Sequence, residues 1–103
     1  MEASRYTTVV APIASAQIDA ALRWWSRNRR DSRGALAREL EVAIETIEHV
    51  PRVGRRVRSR HFKDVRRLLL RATGHHLYYQ VNLTRRQIRI VYLRHARRRP
   101  VTR

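Results

Sequence analysis

Apolar positions along the chain keep to two spacings, and the change from one to the other falls at Pro51. Ahead of it, "RYTTVV" (5–10) is short and β-branched and predicts a first strand. Pro12 suits the first turn of a helix, where its missing N–H costs nothing. Ile18, Ala21, Leu22 and Trp25 then recur at three- and four-residue steps, which predicts a helix from about 12 to 28. The polar stretch "NRRDSRG" (28–34) contains Asp31 and Ser32, both good N-caps. A second helix follows, with Leu36, Leu40, Ile44, Ile47 and Val50 on one stripe and Glu41, Glu45 and Glu48 on the other side. Pro51 ends it. Two helices joined by so short a link should lie antiparallel.

Beyond Pro51 the segment "RVGRRVRSRHFKD" (52–64) has no period and reads as a basic connection. "VRRLLL" (65–70), "HLYYQVN" (76–82) and "QIRIVYLR" (87–94) then read as three strands. The breaks between them are "RATGH", where Gly74 is free to take a positive φ, and "LTRR". Strand alternation puts Leu77, Tyr79 and Val81 on one face of the middle strand and Tyr78 and Gln80 on the other. In the last strand it sets Ile88, Ile90 and Tyr92 against Arg89, Val91 and Leu93. The expected fold is α+β in the order β-α-α-β-β-β, a helical hairpin packed on one face of a small, mostly antiparallel sheet. One domain should span 1–103, with a basic C-terminal tail from about residue 95 that is too polar to be core. The adjacent Trp24 and Trp25 point about 100° apart on a helix, so Trp25 should join the core while Trp24 stays half exposed.

Apolar residues make up 43% of the chain, enough to build a core and to argue against disorder. No apolar run approaches the roughly 20 residues of a membrane span, and "MEASRYTTVVAPIAS" lacks the layout of a secretion signal. With no cysteine there is no thiolate or disulfide chemistry, which suits a reducing cytoplasm. Charge adds more. Residues 1–48 carry seven arginines against seven acids, whereas residues 49–103 carry seventeen Lys/Arg against Asp64 alone, so the whole net charge of +16 lies in the second half. Such a field draws in polyanions or an acidic protein, although the same arginines would also serve as a solvated rim.

A metal site is not expected, because the adjacent His75 and His76 point to opposite faces of a strand and the remaining histidines lack ligand spacing. No cofactor is expected, since the three glycines never form a phosphate loop. Metal-free RNA cleavage needs an acid, a base and a cation beside the phosphate. Arg71 could be the cation, and His75, His76 or His95 the acid or base. Tyr78, Tyr79 and Tyr92 could stack on bases, or simply pack. The segment 52–67 and the tail Arg94, Arg97, Arg98 and Arg99 form the strongest surface signal, a grip on nucleic acid or on an acidic protein.

Taken together, "AxxQIDAALRWW", "IEHVPRVGR" with its P-x-x-G, "VRRLLLRATGHHLYYQV" and "IRIVYLRHARR" resemble the RelE/ParE superfamily of type II toxin–antitoxin toxins over about residues 6–99. The resemblance implies the same hairpin-on-sheet fold and two different activities. RelE-like members cleave mRNA on the ribosome without a metal; there Arg71 would stabilise phosphate, Arg55, Arg56 and Arg58 would correspond loosely to basic residues ahead of the sheet, and His95 would replace the usual tyrosine beyond the last strand. ParE-like members, which "YLRHARR" resembles better, act on DNA gyrase through a protein contact. Arg94, His95, Arg97, Arg98 and Arg99 would then touch the target. Either activity implies a cognate acidic antitoxin that covers apolar rim residues such as Trp24 and that itself contacts operator DNA. A third reading, a non-toxic basic nucleic-acid-binding module, predicts duplex affinity that falls steeply with salt.

Overall fold

The computed structural model describes residues 5–96. β1 (Thr7–Val10) runs into α1 (Pro12–Asn28), and a 3-10 turn at Arg30–Ser32 links it to α2 (Ala35–His49). A second 3-10 turn at Pro51–Val53 leads to β2 (Arg55–Val57), β3 (Val65–Leu70), β4 (His75–Asn82) and β5 (Gln87–His95). The sheet order is β1-β5-β4-β3-β2, antiparallel throughout except where β1 lies parallel to β5. The two helices cover one face, which gives the expected α+β arrangement with one strand more than expected. That strand is β2, inside the segment read as a connection. It pairs Arg55 with Arg67 and Arg56 with Arg66 at the sheet edge, so no apolar alternation marks it.

The core joins Trp25 of α1 and Leu36, Leu40 and Ile47 of α2 to Leu70, Leu77, Tyr79, Ile88, Ile90 and Leu93 of the sheet. Each fully buried Leu or Ile contributes about 1.5–3 kcal/mol, an upper bound because unfolded chains already bury some surface. Tyr79 is wholly buried and has a second task. Its hydroxyl donates to the Pro51 carbonyl at 2.7 Å and accepts the Gly54 N–H at 2.8 Å. A Cβ on Gly54 would stand 2.7 Å from that hydroxyl and 2.9 Å from the Arg67 carbonyl, so glycine is required there for space. The P-x-x-G stretch and "LYYQV" are therefore two halves of one contact.

β5 departs from simple alternation. Tyr78 pairs with Tyr92 but Tyr79 pairs with Ile90, which leaves Val91 as the extra residue of a bulge. The bulge reverses the expected faces of the strand's second half: Leu93 joins Ile88 and Ile90 in the core, and Tyr92 turns to the outer face. β1 ends at the same level, and α1 takes over the edge of β5. The Ala11 N–H donates to the Ile90 carbonyl, and the Leu93 N–H donates to the Gln17 side-chain carbonyl at 2.9 Å. Gln17 thus supplies the acceptor that a neighbouring strand would otherwise provide.

Candidate functional site

At one end of the sheet the β3–β4 turn, Arg71–Gly74, is pinned to α2. The Glu39 carboxylate accepts from the Ala72 and Thr73 amides and, at 2.7 Å, from the Thr73 hydroxyl. Because that hydroxyl donates to Glu39, its oxygen accepts from His75 Nδ1 at 3.0 Å, which assigns the ring proton to Nδ1. Gly74 takes φ +76, the left-handed turn conformation foreseen for it. The His75 ring packs edge-on to Trp25 and to His95, with centroids 6.5 and 5.2 Å away. Burial holds the His75 pKa below the ordinary histidine value; the nearby His95 lowers it further, and Glu39 partly offsets both. Trp25 itself donates its indole N–H to the Ser32 carbonyl, as befits a core tryptophan with a polar edge.

The opposite, outer face of the sheet is built differently. Phe62, Tyr92, Tyr78 and His76 form an edge-to-face series with successive centroid separations of 5.5, 6.0 and 6.2 Å. Phe62 is set on Tyr92 by a local turn in which the Ser59 hydroxyl accepts from the His61 and Phe62 amides. Between this loop and the sheet lies a cavity of about 560 Å³ whose lining includes Arg58, Arg60, His61, Tyr78, Tyr92 and Arg94. Burial lowers the pKa of His76, and the positive charge of Arg67 lowers it further. Guanidinium groups and aromatic rings that share a concave lining can take a phosphate or a carboxylate together with a flat ring.

The structure separates the residues that the sequence groups together. Arg94 and the tyrosine pair Tyr78 and Tyr92 line the outer cavity. Tyr79 is buried on the other face and is not available for stacking. His95 turns to the helix side against His75, and Arg71 is exposed in the turn, away from the cavity lining. Of the basic residues ahead of the sheet, Arg58 lines the cavity, while Arg56 pairs with Asp64 at 2.9 Å. Arg55 is exposed on β2. Arg97, Arg98 and Arg99 lie outside the described residues. Trp24 is 47% exposed, with the Arg29 guanidinium 5.8 Å from its ring centre. Arg60 and His61 line the cavity from within the basic segment 52–67 that the sequence marks as a surface grip, although no periodic signal singles either of them out. His75 and His76 do face opposite sides of the sheet, and the described residues hold no cluster of three or more His, Asp or Glu suited to a metal. No helix among them is long and apolar enough to cross a membrane.

The sequence matches no family model and no curated protein. Solved structures do resemble the fold. The chromosomal ParDE toxin–antitoxin system from P. aeruginosa aligns with a TM-score of 0.69 at 15% identity, covering 89% of this chain and 97% of that one. The RelBE2 toxin–antitoxin complex from Mycobacterium tuberculosis gives 0.60 at 17% identity over 88% of this chain and 98% of that one. The isolated RelE toxin from E. coli gives 0.53 at 22% identity over 93% and 89%. At these identities the likeness establishes the architecture: two helices on a mostly antiparallel sheet, as in RelE and ParE.

Proposed function

Proceeding from the RelE/ParE fold, we propose that this chain is the toxin component of a type II toxin–antitoxin system, that it inhibits DNA gyrase as ParE-like toxins do, and that a cognate acidic antitoxin neutralises it. One observation carries the choice of target. Arg71 and His95 both lie at the β3–β4 turn, where His95 is packed on His75, and the tyrosines that a nuclease would stack on bases, Tyr78 and Tyr92, line the outer cavity instead. What the end of β5 offers is an exposed Arg94 followed in sequence by Arg97, Arg98 and Arg99, a cationic contact suited to an acidic protein surface. The toxin would act in the cytoplasm and reach operator DNA only through its antitoxin. Exposed apolar groups such as Trp24 would be covered in that complex.

The outer cavity favours a second reading, a ribosome-dependent endoribonuclease. In that reading Arg58, Arg60 and Arg94 would stabilise the phosphate, His61 would move the proton, and Tyr78 and Tyr92 would stack on bases. Parallel assays of the purified chain separate the two. A gyrase-directed toxin abolishes supercoiling, withstands Arg71→Ala and His61→Ala, and loses its effect when residues 97–103 are removed. Codon-phased mRNA cuts that vanish with His61→Ala, alongside unimpaired supercoiling, would reverse the choice. Duplex binding without growth arrest would leave only the nucleic-acid module.

A further inference from the structure

A second cavity, of about 480 Å³, lies at the other end of the sheet, where α2 stops short of covering it. Its apolar surface comes from Tyr6, Val50, Val81 and Leu83. Val50 and Leu83 are 52% and 62% exposed, and the neighbouring Val53 is 41% exposed, so the cavity continues into an apolar rim. Its walls are cationic. Arg52 and Arg66 line it, and Arg66 is fixed there by donating Nη1 to the Gly54 carbonyl at 2.7 Å and to the Arg52 carbonyl at 3.4 Å. The Arg86 guanidinium stands 4.7 Å over the Tyr6 ring. The acid in the lining is Asp64, which is already paired with Arg56.

We infer that this groove docks a short acidic segment of a partner protein, with at least one large apolar side chain seated between Val50 and Leu83 and its carboxylates on Arg52 and Arg66. The identity of that partner as the antitoxin rests on the toxin reading above. Two features choose a peptide over nucleic acid. A phosphodiester backbone gains nothing from a floor of aliphatic side chains, whereas an apolar anchor flanked by carboxylates matches both the floor and the walls. The groove also lacks the edge-to-face series of rings that marks the outer face, Tyr6 being the aromatic residue in its lining. The groove is distinct from Trp24, which stands on α1 beside Arg29.

The test uses the full chain as bait for a phage library of random peptides of about 12 residues. The expected binders combine Asp or Glu with Leu, Phe or Trp. A synthesised binder should weaken at least about tenfold on Leu83→Asp or Arg52→Glu, and stay within about twofold on Arg94→Ala or Trp24→Ala. Both groove positions are exposed, and circular dichroism verifies that the variants fold. Binders without acidic residues, binding indifferent to Leu83→Asp, or an equal loss on Arg94→Ala would overturn the inference. Induction of the same chain in cells tests the toxin reading separately. Growth arrest without groove-dependent binding overturns the docking site alone, while groove-dependent binding without arrest or gyrase inhibition overturns the toxin reading alone.

Discussion

The two faces of the sheet are made from alternate residues of the same strands, yet they follow opposite rules. On the helix side, Leu77, Ile88 and Ile90 are fully buried, and the polar groups that share this face are satisfied from within, Tyr79 by Pro51 and Gly54 and His75 by Thr73. On the outer side, rings meet edge to face around a cavity, with guanidinium groups beside them. Stability is concentrated on the first face, which leaves the second free to carry charge that a core could not tolerate. A bulge at Val91 keeps the division intact to the end of β5, by sending Leu93 inward and Tyr92 and Arg94 outward.

The sharpest way to break this contrast is to delete volume on each side in turn. Leu77→Ala should lower unfolding free energy by about 2–5 kcal/mol in urea titrations, and Arg94→Ala on the outer face should change it by less than about 0.5 kcal/mol. An outer-face loss of similar size would mean that the cationic side also carries the fold. Removing one hydroxyl makes a finer comparison. Tyr79→Phe strands the Gly54 N–H and the Pro51 carbonyl and should cost about 1–3 kcal/mol, whereas Tyr78→Phe should stay within about 0.5 kcal/mol.

The smallest effect is a dependence on pH. His75 has a folded pKa below 6.5, so below that pH the unfolded chain binds its proton more readily than the folded one. The neutral ring's share of stability is complete above about pH 6.5 and is lost as pH falls toward the folded value. Between about pH 7 and pH 5 the wild-type Tm should therefore fall more steeply than that of His75→Gln. Parallel slopes would show that the buried histidine does not govern the acid limb.

The sequence predicted whatever depended on periodicity. Both helices, four of the five strands and the inward turn of Trp25 follow from the sequence pattern, and Trp24 is half exposed as its position on the helix requires. Two features left no trace in that pattern. β2 is held by backbone pairing of arginine with arginine at an edge, where no side chain has to be apolar. The bulge at Val91 shifts register inside a run, "IRIVYL", in which either face could be the buried one. The candidate site was harder to see, because it depends on which residues four separate strands and a loop bring together. Arg94 and His95 are neighbours in sequence and part to opposite faces, while Arg58 and His61 reach the cavity from a loop fixed by Ser59 and Phe62.

One atom has a reach beyond its own neighbourhood. The Tyr79 oxygen occupies the space that a side chain at residue 54 would need, and it ties the exit from α2 to the middle of β4. A phenylalanine at 79 would clear the hydroxyl but leave a Cβ at residue 54 standing 2.9 Å from the ring carbon Cε1 and 2.9 Å from the Arg67 carbonyl, so Gly54→Ala should stay destabilising in either background. The bare backbone at residue 54 is thus demanded by the strand it crosses as much as by the tyrosine it holds.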